Sequence, residues 1–153
     1  MAIAKLLQAP NDVEPTSDSV FLAGGISGWR EEAIERLSSF DGTILNPHRD
    51  EWPTDIESLG EQLEWERKYL KLATLRAFWF SGCSLAPMTM LELGQTLGAG
   101  WPFVAGVEQG HPREDELRVR IQLACPGVSV CCSVEALSLE ILRWFEKKSE
   151  PLP

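Results

Sequence analysis

Two carboxylates and a glycine-rich turn are the parts of this sequence whose chemistry asks for an explanation. Glu92 stands in the stretch Thr89-Met90-Leu91-Glu92, just after the apolar run 75–80. That spacing places it in the first turn of a predicted helix. Thr-x-x-Glu is also a capping box, in which the hydroxyl takes one helix-end amide and the carboxylate another. A Glu in a first turn suits the helix dipole as well. Glu92 is therefore either a cap or a catalyst. Glu66 raises a similar question. It falls among Leu59, Leu63, Leu70 and Ala73, which recur at helical spacing as one apolar stripe. A carboxylate on a buried face is either paired with a base or perturbed in its pKa, and perturbed acids cluster at functional sites. The third group is Gly24-Gly25-Ile26-Ser27-Gly28, directly after the apolar run 19–23. It is either a plain tight turn or a loop that lets a ligand approach the backbone. It matches neither G-x-G-x-x-G nor a Walker motif.

These groups need elements to hold them. The run 19–23 reads as a buried strand, followed by a helix over 29–40 with Ala33, Ile34 and Leu37 inward. A second strand covers 43–46 and is stopped by Pro47. The loop 47–53, with His48, Arg49, Asp50 and Trp52, either lines a site or connects through solvent with Trp52 packed down. A helix over 56–73 carries Glu66. Strands at 75–80, 102–107 and 128–132 follow, with helices from the Glu92 segment to about 98, over 114–124 and over 133–147. Ser133 is placed to cap the last helix. Residues 1–18 read as an arm or an edge strand, 19–148 as one domain, and 149–153 as a loose tail. Strands alternating with helices give a parallel sheet covered on both faces. The expected fold is α/β, flavodoxin-like and doubly wound, with five strands in the order 2-1-3-4-5. In that order the glycine loop and the Glu92 segment converge at one crevice, within reach of Glu66.

Composition removes several function classes. The chain has 153 residues, 44% hydrophobic and 24% charged, which suits one globular domain. A formal net charge of −9 disfavours a nucleic-acid polymer as partner. No apolar run approaches the roughly 18 residues that span a membrane, and the first residues lack signal-peptide features, so a cytoplasmic protein is expected. Cys83, Cys125, Cys131 and Cys132 form no C-x-x-C pair, and His48 and His111 are isolated. Reduced thiols, no metal and no cofactor are expected.

Four segments together resemble the nucleoside 2-deoxyribosyltransferase-like family: Phe21-Leu22-Ala23-Gly24-Gly25-Ile26-Ser27, Leu45-Asn46-Pro47-His48-Arg49, Gln62-Leu63-Glu64-Trp65-Glu66-Arg67, and Pro87-Met88-Thr89-Met90-Leu91-Glu92-Leu93-Gly94. The resemblance implies a flavodoxin-like fold and cleavage of an N-glycosidic bond to a nucleobase, with the sugar passed to a base or to water. It places the family's nucleophile at Glu92, inside T-x-x-E-x-G, and the family's second acid at Glu66. It puts the first substrate loop at Ala23, Gly24, Gly25, Ile26 and Ser27, with Thr89 beside the nucleophile. Asn46 and Arg49 are then candidates to contact base or phosphate. A homo-oligomer is implied, with a nucleoside or nucleotide as the small-molecule partner. The chemistry is consistent: two carboxylates at a sugar can run a retaining displacement, an ionised Glu92 attacking and a protonated Glu66 serving the leaving base. The sequence departs from the family at Pro87-Met88, where Asp-Gly is common, at Ala73-Thr74, and at Gly25. It also has Phe21 where an aromatic hydroxyl is common. Those departures keep open a catalytically weak or inactive nucleotide-binding module. A flavin domain is the third reading, against which stands the absence of a Ser/Thr-rich phosphate nest.

Overall fold

The computed structural model describes residues 2–153. The centre of the sheet follows from three runs with no polar interruption. β2 (Ser19–Gly24), β4 (Leu75–Phe80) and β5 (Phe103–Val107) are buried along nearly their whole length. Strands buried on both faces are what a parallel, helix-covered sheet requires. Successive side chains go to opposite faces. From β4, Leu75, Ala77 and Trp79 join a core layer with Val20, Leu22, Leu137 and Ile141, while Phe78 and Phe80 join the other with Phe21, Trp65, Tyr69 and Ile121.

The sheet has six parallel strands, not five. β1 (Lys5–Gln8), β3 (Thr43–Asn46) and β6 (Val130–Cys131) complete the order β1-β3-β2-β4-β5-β6. The five expected strands keep their relative order, which is compatible with a flavodoxin-like fold; the sixth comes from the N-terminal arm. Lys5 pairs with Thr43 and Gln8 with Asn46, and Leu7 is buried. Short strands of four residues carry little periodicity, which is why the sequence alone left residues 1–18 open between an arm and an edge strand. After β1 the chain crosses onto α2 (Ile56–Leu72). Trp65 Nε1 donates to Asn11 O at 2.7 Å and the Tyr69 hydroxyl donates to Asp12 Oδ1 at 2.5 Å.

α2, α3 (Pro87–Ala99) and α4 (Glu114–Ala124) cover one face; α1 (Trp29–Arg36) and α5 (Val134–Ser149) cover the other. α1 stops four residues earlier than its periodicity suggests. Asp55 caps α2 by accepting from the Ser58 amide, and Ser133 caps α5 by accepting from the Ala136 amide. No helix among the described residues is long and apolar enough to cross a membrane.

Candidate active site

The start of α3 decides how Glu92 is read. The N-cap is Ala86, with φ 50° and ψ 58°, and no side chain caps the helix. Pro87 is the first helical residue, a position where its missing amide hydrogen costs nothing. Thr89 thus lies inside the first turn and Glu92 in the second. The capping-box reading fails, because neither side chain stands where a box needs it. A non-glycine residue in the left-handed region costs about 1–2 kcal/mol, so the surrounding loops must hold Ala86 there.

Glu92 instead faces a cavity of about 590 Å³ at the carboxyl ends of β2 and β3. Glu66 of α2 opens into the same cavity, as do Gly24, Gly25, Ile26 and Thr89. Pro47 and Trp52 supply another wall, so the loop after β3 does line the site. Leu59, Leu63 and Leu70 also face it. The predicted apolar stripe of α2 therefore points partly into the cavity. The face of α2 turned to the sheet carries Gln62, Trp65, Tyr69 and Leu70. The volume suits a small organic molecule. A larger cavity of about 720 Å³ separates α3 from α4, but its charged groups, Arg113, Glu116 and Arg120, are tied to one another. The perturbed acids lie in the smaller one.

Both acids are held above the usual carboxylate range. Burial first, and then the neighbouring charge of Glu66, raise Glu92 against the pull of Arg30, and the carboxyl stands at about 7. Burial also raises Glu66, against a hydrogen bond from Gln62 and the charge of Arg30. The acidity order expected from the sequence is reversed, since the stronger perturbation falls on Glu92. Glu92 lies deeper than its helix position suggests, and each carboxylate disfavours ionisation of the other.

Arg30 is the residue the sequence reading missed. It is 7% exposed. Its Nε donates to Leu22 O at 3.2 Å, Nη1 to Gly25 O at 3.1 Å and Nη2 to Gly24 O at 2.7 Å. Burial lowers its pKa to about 10, with Glu92 and Glu66 opposing the fall, so it stays cationic at neutral pH. It pins the glycine loop and supplies the positive charge the two acids share. A signal was present: Arg30 lies on the same helical face as Ala33 and Leu37. Gln62 was missed too. Its Nε2 donates to Pro47 O at 2.8 Å and to Glu66 Oε1 at 3.0 Å, fixing the second acid against the loop after β3.

The two glycines serve close packing within the protein. A Cβ on Gly24 would meet the Trp29 indole at 2.7 Å. One on Gly25 would lie 3.1 Å from Ser84 Oγ and 3.5 Å from Ala86 Cβ, so the loops after β2 and β4 touch.

Four of the residues singled out from the sequence lie outside this cavity. Ala23 is a buried strand residue, 1% exposed, whose side chain belongs to the core. Ser27 lines a small adjoining recess with Gly28, Glu31 and His48, and its Oγ is buried without a partner. Asn46 is buried and its Oδ1 accepts from the His48 amide at 3.1 Å, which shapes the turn leaving β3. Arg49 is on the far side of Gln62, donating to Gln62 Oε1 at 3.4 Å and lining the recesses beside the N-terminal arm. Among the described residues no group of three or more His, Cys, Asp or Glu side chains is arranged to hold a metal ion.

The family model described as nucleoside 2-deoxyribosyltransferase like matches residues 17–110. The chain belongs to that family. No curated protein matches it. The matched span runs from β2 through β5 and contains every residue of the 590 Å³ cavity. β1, α4, β6 and α5 lie outside it. Membership in the nucleoside 2-deoxyribosyltransferase-like family points to an enzyme acting on a small-molecule nucleoside.

Proposed function

We propose that this protein cleaves the N-glycosidic bond of a nucleoside or nucleotide through Glu92, and passes the ribosyl or deoxyribosyl group to another base or to water. The observation that carries this reading is the convergence of Glu92 and Glu66, from two different helices, on one substrate-sized cavity with the Arg30 cation beside them. Ionised Glu92 attacks the anomeric carbon and forms a glycosyl-enzyme ester as the bond to the base breaks. Glu66, whose carboxyl burial also shifts towards the protonated form, orients the sugar or passes a proton to the departing base. With a pKa of about 7, Glu92 is ionised in a substantial fraction of molecules near neutrality, and that fraction is the attacking form. The apolar walls formed by Leu59, Leu63, Leu91 and Trp52 suit a flat base.

The α3 surface supports a homo-oligomer. Glu92 is the only charged residue in that helix, and Met88 and Leu91, at the rim of the cavity, are exposed on the same helix as Gly94 and Gly98. In a chain of net charge −9, an uncharged helix face is where a second copy meets least repulsion. The four free cysteines suit a reducing compartment such as the cytoplasm.

The test is chromatographic detection of free base. Wild type and Glu92→Ala are incubated with ribo- and deoxynucleosides, their 5′-monophosphates and NAD. Base released by wild type alone supports the reading and names the substrate. Binding of a nucleotide without release by either protein would replace it with a non-catalytic nucleotide-binding module.

A further inference from the structure

We infer that His111, in the loop between β5 and α4, is a positioning residue for Glu92, acting through the backbone at the start of α3. This rests on the assignment of Glu92 to the reaction. Ala86 is the residue from which α3 starts. Its left-handed backbone sets the direction in which α3 leaves the sheet, and Glu92 is six residues further on. Nothing in α3 itself holds that conformation, since no side chain caps the helix. The hold comes from outside. His111 is 4% exposed and stands edge-on to Phe80, the last residue of β4, with ring centroids 5.7 Å apart. Its Nδ1 accepts from the Arg113 amide at 3.0 Å. A backbone amide can only donate, so the neutral ring carries its proton on Nε2. Nε2 then donates to Leu85 O at 3.3 Å. That carbonyl belongs to the peptide entering Ala86.

The other end of the same loop is held by the same segment. Glu108 Oε2 accepts from the Gly82 amide at 2.6 Å and from the Ser81 hydroxyl at 3.2 Å. The loop after β5 therefore grips the loop after β4 at both ends, with Glu108 at its entry and His111 at its exit. Ser84 and Ala86 lie beside Gly25, which leaves no slack between the gripped segment and the glycine loop whose carbonyls Arg30 holds. His111 lines none of the cavity. Its effect on the reacting atoms is transmitted through Leu85 and Ala86.

Two near-isosteric variants separate the two ring nitrogens. In His111→Gln the side-chain amide can occupy the Nε2 position and donate to Leu85 O. In His111→Asn the side-chain oxygen can replace Nδ1 and keep the Arg113 bond, but the amide cannot reach Leu85. Three measurements are made on wild type and both variants: kcat and KM for base release, the titration of Glu92 followed by carboxyl ¹³C chemical shift, and amide exchange of Met90. The Met90 amide donates to Ala86 O and closes the first turn of α3. The Glu92 signal is identified by its absence in Glu92→Gln. His111→Gln is expected to match wild type in all three. His111→Asn is expected to lower kcat about 10- to 100-fold with little change in KM, the scale on which a misplaced reacting group loses rate. It should also move the Glu92 titration down from about 7 as water enters, and speed Met90 exchange. Equal behaviour of the two variants, or wild-type behaviour of His111→Asn, overturns the inference. If wild type releases no base, the proposed reaction fails, and the Glu92 titration and Met90 exchange still decide whether His111 positions α3.

Discussion

Glu92→Gln should make the protein more stable at alkaline pH, by an amount that reports how strongly the fold opposes the charge at this position. Burial and Glu66 raise the Glu92 pKa from an ordinary 4.5 to about 7, which corresponds to roughly 3 kcal/mol. Below 4.5 the carboxyl is protonated in both the folded and the unfolded chain, and folding is indifferent to it. Between 4.5 and about 7 the unfolded chain loses the proton while the folded chain keeps it, so stability falls as pH rises. Above about 7 the whole penalty is present. The cavity is open to solvent, and screening reduces the usable part to about 2 kcal/mol. Gln has nearly the shape of protonated Glu and no charge to lose. Near pH 8, about one unit above the folded value, Glu92→Gln should exceed wild type by about 2 kcal/mol, or roughly 4–8 °C in Tm for a domain of this size. The gap should close towards the ordinary carboxylate pKa. The assay is thermal and urea unfolding of both proteins across that pH range. Glu150→Gln, which makes the same charge change in the exposed tail, controls for net charge. A gap that is absent at pH 8, independent of pH, or reproduced by Glu150→Gln would refute the reasoning.

Arg30→Met should destabilise the fold by about 2 kcal/mol in urea titrations, because the carbonyls of Leu22, Gly24 and Gly25 each lose a guanidinium donor, Gly25 O keeping the bond from Trp29 Nε1. Removing the cation that lowers the Glu92 pKa should also move the acid limb of kcat/KM to higher pH. Gly24→Ala places a methyl 2.7 Å from the Trp29 ring; the expected loss is about 1–3 kcal/mol with an altered tryptophan emission spectrum. Tyr69 is the only tyrosine, and burial together with its bond to Asp12 raises its hydroxyl to about 12. Its ultraviolet titration should therefore be shifted well above an ordinary phenol's in the native protein. Tyr69→Phe should speed amide exchange in the arm, residues 9–18, several-fold while leaving the central strands protected.

Spacing alone was enough to bring Glu66 and Glu92 forward and to place most of the elements around them. Long apolar runs such as 75–80 and the helical recurrence on α2 are local properties, carried by residues close in sequence. Chain order also fixes the relative order of the five expected strands, since right-handed crossovers leave few alternatives. Four features depended on contacts between distant parts of the chain. β1 is a strand because β3 offers it an edge, not because Lys5–Gln8 has strong periodicity. Thr89 is no cap because the helix begins two residues earlier, at Pro87, after a left-handed Ala86. Arg30 joins the site because the carbonyls of Gly24 and Gly25 turn towards α1. Glu92, not Glu66, is the more perturbed acid because its surroundings strip more water from it. A sequence names the groups that can carry charge, whereas the cost of that charge is set by what packs around each group, and only the assembled fold decides that.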